Sequence, residues 1–148
     1  MQIFIPYSSP YETAMLMRTD KKRFFKQILE TKQILAAIRD PTKGYANHPV
    51  TKMYTGHTEW LNYYLEVFEL VRDGKLFSAQ VASAFSDLVR PEWMSTALCD
   101  QHKRRLYTKN PVLYKCFKDY GESLENWYYV EGSLKKYING KIILQNKN

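Results

Sequence analysis

Cysteine and long apolar runs are both scarce in this chain of 148 residues. The two cysteines, Cys99 and Cys116, have neither C-x-x-C spacing nor a cluster of histidines around them. A disulfide scaffold or a zinc site needs more bridges or ligands than these two thiols provide. The sequence therefore predicts a reducing, intracellular setting such as the cytoplasm.

Several patterns that mark common protein classes are absent as well. The N-terminus has no basic region followed by an apolar stretch, and no segment is apolar for long enough to cross a membrane, so we expect neither secretion nor a membrane partner. There is no Gly-rich phosphate loop, no G-x-S-x-G turn, no H-E-x-x-H helix and no internal repeat. Nucleotide-binding P-loops, serine hydrolases and zinc peptidases are thereby excluded.

The composition that remains is basic and aromatic. Lysine and arginine exceed the acidic residues by 22 − 15 = +7, and hydrophobic residues make up 45% of the chain, with twelve tyrosines. Such a chain can bury enough surface to fold, and its length suits a single domain over residues 1–148, which we expect to be monomeric. The positive charge favours anionic partners such as nucleic acid. Solubility explains the charge equally well, so both interpretations stay open.

The periodicity of apolar residues predicts a mainly α fold: a compact bundle of three principal helices with an extended N-terminal arm over residues 1–12. Asn139-Gly140 lies between two β-branched runs, which predicts a small C-terminal β-hairpin within residues 133–148. The predicted helices span residues 20–39, 49–72, 76–88, 96–108 and 111–118.

The first long helix has two distinct sides. We expect an apolar side that faces the core, formed by Phe24, Phe25, Ile28, Leu29, Leu35 and Ile38. Another side is polar and basic, with Glu30 among Arg23, Lys26, Gln27 and Gln33. A carboxylate near a free amine can support chemistry without a metal. Alternatively, Glu30 only forms a surface pair with Lys26 four residues earlier, which is worth about 0.3–0.5 kcal/mol.

Five segments, in this order, resemble the pyrimidine-dimer DNA glycosylase family related to phage endonuclease V. Within the third segment, Pro49 precedes Gly56-His57 at a spacing that recurs in the family. One short match is weak, but five in order are specific. The segments are MQIFIPY, KRFFKQILETKQIL, NHPVTKMYTGH, PEWMSTALCDQHKRRLYTKNPVLY and ENWYYV.

The resemblance implies a DNA glycosylase and abasic-site lyase that acts on ultraviolet-damaged pyrimidines. The N-terminal α-amine would attack the sugar C1′ to give a Schiff base, and the residue that matches the catalytic carboxylate is Glu30. An α-amine has a pKa of about 7.7–8.0, against about 10.4 for lysine, so far more of it is neutral and nucleophilic at pH 7. No cofactor is expected, because amine attack and proton transfer need none.

The second residue leaves three alternatives open. Gln2 is bulky, and removal of the initiator methionine before glutamine is poor, so the reactive amine belongs to Met1 or to Gln2. A lysine such as Lys26 is another candidate for the nucleophile. The third alternative is a non-catalytic protein that binds nucleic acid or a nucleotide on the same scaffold; a helical protein-interaction module ranks last.

Double-stranded DNA is the partner that the resemblance implies, or else a nucleotide ligand. Basic residues near the first helix and near residue 105 are expected to form two walls of a phosphate-binding groove, and aromatic residues near residue 127 to stack on bases or to close the core. His57, Trp60 and Trp93 are expected to be structural. The predicted nucleic-acid contacts are Arg23, Lys26, His48, His102, Arg104, Arg105, Lys109, Trp127 and Tyr128.

Overall fold

The computed structural model describes residues 1–42, 44–75, 88–138 and 141–144 and is mainly helical, as predicted. Three of its helices are longer than the others, in agreement with the predicted three principal helices. None of the described helices is both long and apolar enough to cross a membrane. The helices are α1 (Pro10–Met17), α2 (Lys21–Arg39), α3 (Pro49–Tyr54), α4 (Thr58–Arg72), α5 (Thr96–Lys109) and a 3₁₀ helix (Lys115–Tyr120).

The N-terminal arm is shorter than predicted, because α1 begins at Pro10. The Ser9 side chain accepts a hydrogen bond from the backbone N–H of Glu12, and a proline fits the first turn of a helix, where its missing N–H is not needed. Ser9 and Glu12 have the S-x-x-E spacing that is typical of a helix start. The predicted arm over residues 1–12 did not take this signal into account. Residues 1–9 remain extended or bent.

The N-terminal segment runs through the core instead of over the surface. Ile3, Phe4 and Ile5 are almost completely buried. Their backbone groups therefore need partners within the protein, since an unpaired buried N–H or C=O destabilises the fold. These partners come from side chains and not from a neighbouring strand.

Gln27, on α2, is the main partner of this segment. Its Nε2 donates to the Gln2 carbonyl oxygen at 2.9 Å, and its Oε1 accepts from the Phe4 N–H at 2.8 Å. The Tyr64 hydroxyl donates to the Phe4 carbonyl oxygen at 2.8 Å and lies 3.1 Å from the same Gln27 Oε1. One buried amide thus pairs with the segment as an adjacent strand would.

His102, on α5, holds the next residue. Its Nδ1 accepts from the Ile5 N–H at 2.8 Å, so the ring proton resides on Nε2. His102 Nε2 faces the Gln2 side-chain amide at 3.0 Å, and the Trp127 carbonyl oxygen accepts from Gln2 Nε2 at 3.2 Å. Burial lowers the pKa of His102 to about 3, so the ring is neutral at physiological pH.

The predicted bounds of the first long helix agree with α2, but the predicted core side is partly wrong. Phe24 and Ile28 are buried as expected, whereas Phe25 and Leu29 are exposed. The buried stripe instead runs through polar positions such as Gln27, because the N-terminal segment packs there and supplies hydrogen-bond partners.

The predicted helix over residues 49–72 is two helices, α3 and α4. Gly56 separates them with φ +89°, a left-handed conformation that favours glycine and cannot continue a right-handed helix. The His57 N–H closes the turn onto the Tyr54 carbonyl oxygen at 2.8 Å. Trp60 is buried as predicted, and the Trp93 indole N–H donates to the Met53 carbonyl oxygen at 3.1 Å.

The later part of the chain follows the predictions less closely. The helix predicted over residues 76–88 lies almost entirely outside the described residues. Ser95 caps α5 as expected through the Leu98 N–H. The helix predicted from Pro111 to Lys118 is a series of turns followed by the 3₁₀ helix, which starts later, at Lys115.

A small antiparallel sheet follows the helices, with strands β1 (Asn126–Val130), β2 (Ser133–Ile138) and β3 (Lys141–Leu144) in the order β1-β2-β3. The β2–β3 pair, with Ile138 opposite Lys141, agrees with the predicted hairpin. The Asn139-Gly140 turn itself lies outside the described residues. Strand β1 was not predicted; it pairs with β2 and brings the aromatic run into the sheet.

Replacement of Gln27 by leucine should destabilise the protein by about 3 kcal/mol, because the Gln2 carbonyl and the Phe4 N–H would be left buried without a partner. Urea unfolding measures the change. Gln33→Leu on the same helix, at a half-exposed position, is the matched control and should change stability little. Equal stability of the two variants would show that Gln27 does not hold the segment.

Acid should destabilise the protein below pH 6.5 because of His102. The ring binds a proton at about pH 6.5 in the unfolded chain but only at about pH 3 in the fold. The contribution of His102 to the free energy of unfolding is therefore complete above pH 6.5 and declines as the pH falls towards 3. Urea unfolding between pH 7.5 and 5 should show this slope. His102→Gln should reduce it by about half, because burial also lowers the pKa of His48, to about 4, and His48 contributes a slope of the same sign. A wild-type stability that is constant over that range would contradict the assignment.

Candidate functional site

A cleft of about 230 Å³ opens where the N-terminal segment meets α2, the end of α5 and the start of β1. Cationic side chains predominate among its charged groups, and the first residue of the chain lies in its wall. The lining residues are Met1, Gln2, Phe4, Asp20, Lys22, Arg23, Lys26, Gln27, Glu30, Lys109 and Asn126.

Glu30 is fixed at the buried side of this cleft. Its Oε2 accepts a hydrogen bond from the Gln2 backbone N–H at 3.3 Å, and its Oε1 lies 3.8 Å from Lys26 Nζ. Only 7% of Glu30 is exposed. One Glu30 oxygen thus faces Lys26, as expected for a surface ion pair, and the other faces the start of the chain, as expected for a carboxylate near the amine.

Met1 is anchored beside this carboxylate. Its carbonyl oxygen accepts a short hydrogen bond, 2.6 Å, from the Tyr128 hydroxyl. Its amine is separated from the Gln2 N–H by only the Met1 Cα and carbonyl carbon, so it lies close to Glu30. The sequence prediction that brings Met1, Gln2 and Glu30 to one place agrees with this geometry.

The surroundings of the Met1 amine favour its neutral form. Burial lowers the pKa of the amine from its ordinary value near 8.0. The Glu30 carboxylate opposes this shift, while the cations Lys26, Lys109 and Arg105 add to it. An amine with a lowered pKa is neutral, and hence nucleophilic, in a larger fraction of molecules at neutral pH.

Lys109 is the second amine of the cleft. It lies at the last position of α5, and desolvation together with the nearby cations Arg105, Arg23 and Lys26 lowers its pKa to about 8. Lys26, by contrast, has its ammonium beside Glu30 and 63% of its side chain exposed. Of the two lysines, Lys109 has the surroundings that produce a reactive amine.

The predicted basic walls are brought together only in part. Arg23 lines the cleft and forms an ion pair with Asp20. Arg105 lies at its edge, where Nε donates to Asn126 Oδ1 at 3.1 Å. Arg104 is one residue, about 100°, further around the helix, and its Nε donates to the Tyr120 carbonyl oxygen at 2.6 Å, away from the cleft lining.

Four predicted nucleic-acid contacts have structural positions instead. His102, Trp127 and Tyr128 are buried, and the Trp127 indole N–H donates to Ser123 Oγ at 3.1 Å. His48 caps α3 by accepting the Val50 N–H at 3.1 Å, and burial lowers its pKa to about 4. The rings of His102, Trp127 and Tyr128 are too buried to stack on a base, and the half-buried His48 is neutral at physiological pH.

Two features of the site were not predicted from the sequence: the role of Gln27 and the position of Asn126. Gln27 was recognised on the polar side of α2, but not as a partner of the buried backbone. Asn126 lines the cleft without having been singled out, whereas Lys22, which also lines it, was expected among the basic residues near the first helix. Within the described ranges, no three His, Cys, Asp or Glu side chains are grouped as metal ligands would be.

Comparison with known proteins supports the resemblance noted from the sequence. The model of the family described as pyrimidine dimer DNA glycosylase matches residues 1–69. A search among curated proteins found no match. A search among solved structures found none either. Over its first 69 residues, which contain Met1, Gln27 and Glu30, this chain therefore matches the pyrimidine dimer DNA glycosylase family.

Proposed function

We propose that this protein is a DNA glycosylase with abasic-site lyase activity on ultraviolet-damaged pyrimidines. The single observation that carries the proposal is the hydrogen bond from the Gln2 N–H to Glu30 in a cation-lined cleft. It keeps the first amine of the chain beside a buried carboxylate. The family match over residues 1–69 supports the choice of a damaged pyrimidine in DNA as substrate.

The glycosylase step uses the neutral amine as nucleophile. The amine nitrogen attacks C1′ of the damaged nucleotide, and the C1′–N bond breaks, with its electron pair leaving on the base. Loss of the amine proton and opening of the sugar ring give a Schiff base between the protein and C1′. Burial of the Met1 amine favours the neutral form that this step requires.

The lyase step uses the Glu30 carboxylate as a base. It removes a proton from C2′ of the Schiff base, the electrons form a C2′=C3′ double bond, and the 3′ phosphate leaves. A base that removes this proton must be ionised and close to the sugar. The Gln2 N–H and the Lys26 ammonium hold the Glu30 carboxylate in position at the cleft.

Duplex DNA would be held by the cations around the cleft. Lys22, Arg23, Lys26 and Lys109 line it, and Arg105 lies at its edge. Because phosphate contacts release counterions, the affinity should fall steeply with salt. Arg104, which is placed elsewhere, is not part of this proposed set.

The runner-up is a protein that binds nucleic acid or a nucleotide without cutting it. The observation in its favour is that both Glu30 oxygens already have partners, Gln2 N–H and Lys26. Such a protein would bind DNA with the same salt dependence but leave ultraviolet-irradiated plasmid intact. Nicking of that plasmid distinguishes the two functions.

Borohydride added during the reaction should trap a covalent adduct between the protein and damaged duplex DNA. Mass mapping of the adduct should place it on the first residue, and intact mass identifies that residue. An adduct on Lys109 instead would assign the chemistry to the second amine of the cleft. Absence of any adduct, from protein with an intact N-terminus, would contradict the amine mechanism.

Glu30→Gln should retain the adduct but slow strand cleavage by about 100-fold or more, because an amide accepts the Gln2 N–H but cannot remove a proton. Plasmid nicking and single-turnover cleavage measure the loss. Glu66→Gln, at an exposed position of α4, is the matched control. Full nicking by Glu30→Gln would remove this carboxylate from the mechanism.

Lys109→Met should move the acidic limb of the rate–pH profile to higher pH. Removal of a neighbouring positive charge raises the pKa of the Met1 amine, so a more alkaline solution is needed to reach the same neutral fraction. The salt dependence of DNA binding should also weaken by about one phosphate contact. Lys118→Met, outside the cleft, should change neither quantity. An unshifted profile would show that Lys109 does not act on the amine.

A further inference from the structure

Helix α2 exposes two large apolar side chains next to the cleft. Phe25 is 52% exposed and Leu29 is 56% exposed, although the sequence pattern had assigned both to the core. They are four residues apart, so they lie one above the other on the same face of the helix. We refer to Phe25 and Leu29 as the apolar pair.

Lysines border the apolar pair on both sides. With about 100° of rotation per residue, Leu29 lies about 20° from Lys22 and about 60° from Lys26, both of which line the cleft. On the other side, Phe25 lies about 20° from Lys32 and about 40° from Lys21. This surface has an apolar centre and cationic edges. It is complementary to a polyanion that places its negative charges on the lysines and an apolar group on the apolar pair.

DNA that enters the cleft has to pass this surface. Glu30, Lys26 and Lys22 are on the same helix as the apolar pair, so a sugar beside Glu30 brings its flanking nucleotides over the exposed side of α2. The C1′ atom of a stacked nucleotide in a regular duplex cannot reach an amine inside a cleft. Proteins that kink or open a duplex commonly insert apolar side chains such as Phe or Leu between base steps.

We propose that Phe25 and Leu29 form a wedge that inserts beside the damaged nucleotide and keeps the duplex opened while the sugar enters the cleft. This inference rests on the proposed function, because it assumes that the cleft receives a nucleotide of duplex DNA. The lysines on both sides position the phosphate backbone of the DNA. The apolar pair replaces the stacking contacts that the separated bases lose.

A second copy of this chain is a less suitable occupant. Two such faces would bring together Lys21, Lys22, Lys26 and Lys32 from each molecule, in a protein whose net charge is already +7. Like charges at this distance repel. Two side chains also offer too little apolar surface for a stable protein interface. Charge complementarity therefore favours DNA.

The test compares wild-type protein with Phe25→Ala/Leu29→Ala on two substrates. One is a duplex with a single pyrimidine dimer, and the other is a single-stranded oligonucleotide with an abasic site, which needs no opening. Single-turnover cleavage of the duplex should slow by about tenfold, while cleavage of the single strand should stay within about twofold. The melting temperature should fall by only a few degrees, because about half of each side chain is already exposed.

A second measurement detects base unstacking on binding and does not require DNA cleavage. 2-Aminopurine placed next to the lesion becomes fluorescent when it is unstacked, so binding of wild-type protein should raise its fluorescence, and binding of the double variant should not. If the wild type fails to cut either substrate, the proposed function fails, and this measurement still decides the wedge.

Val89→Ala is the matched control. Val89 is 83% exposed, and its neighbour Arg90 lines a separate depression that shares no residue with the cleft. It should behave as wild type in both assays. Equal slowing of the double variant on both substrates, or loss of a dimer in sedimentation, would overturn the wedge. Unchanged duplex cleavage together with unchanged fluorescence would overturn it as well.

Discussion

The buried amide of Gln27 is the interaction on which the rest of the site depends. A segment such as Ile3–Phe4–Ile5 can be buried only if its backbone groups find partners inside the protein. Gln27 supplies two of them, Tyr64 a third and His102 a fourth. The start of the chain is therefore held by side chains from three helices and does not need a neighbouring strand.

The chemistry that we propose for the first residue depends on this anchoring. Chain ends are usually mobile and solvated, with an amine that is mostly protonated at neutral pH. Here the Tyr128 hydroxyl holds the Met1 carbonyl, and Glu30 holds the Gln2 N–H. Partial burial and nearby cations lower the pKa of the Met1 amine. The same packing that stabilises the fold thus places the amine that we propose as nucleophile beside the carboxylate that we propose as base.

Helix α2 has three sides, and each side lies in a different environment. One side, with Phe24 and Ile28, packs in the core; a second, with Lys26 and Glu30, forms the cleft; the third exposes Phe25 and Leu29. Because all three sides belong to one rigid helix, the spacing between the core contacts, the carboxylate and the exposed apolar pair is fixed. This arrangement connects the stability of the fold to the geometry of the proposed DNA contact.

Some of this was predictable from local sequence. The bounds of α2, the Ser95 cap of α5, the strands around residue 139 and the proximity of residue 1 to Glu30 all follow from periodicity, turn residues or family resemblance. The break at Gly56 was missed because the apolar spacing continues across it, whereas its backbone conformation depends on how α3 and α4 pack. Strand β1 was missed because its aromatic run fits a base-stacking surface as well as a sheet.

The sequence by itself determined that α2 and α5 are helical and which residue types are available on each side of α2, since helices form through hydrogen bonds between near neighbours. Only the tertiary structure decided which of those sides is buried. Gln27 is inside and Leu29 is outside because residues 2–5, more than twenty positions earlier in the chain, occupy the space beside the polar side of the helix. His102, Trp127 and Tyr128 are buried for the same reason, since they complete the enclosure of that N-terminal segment.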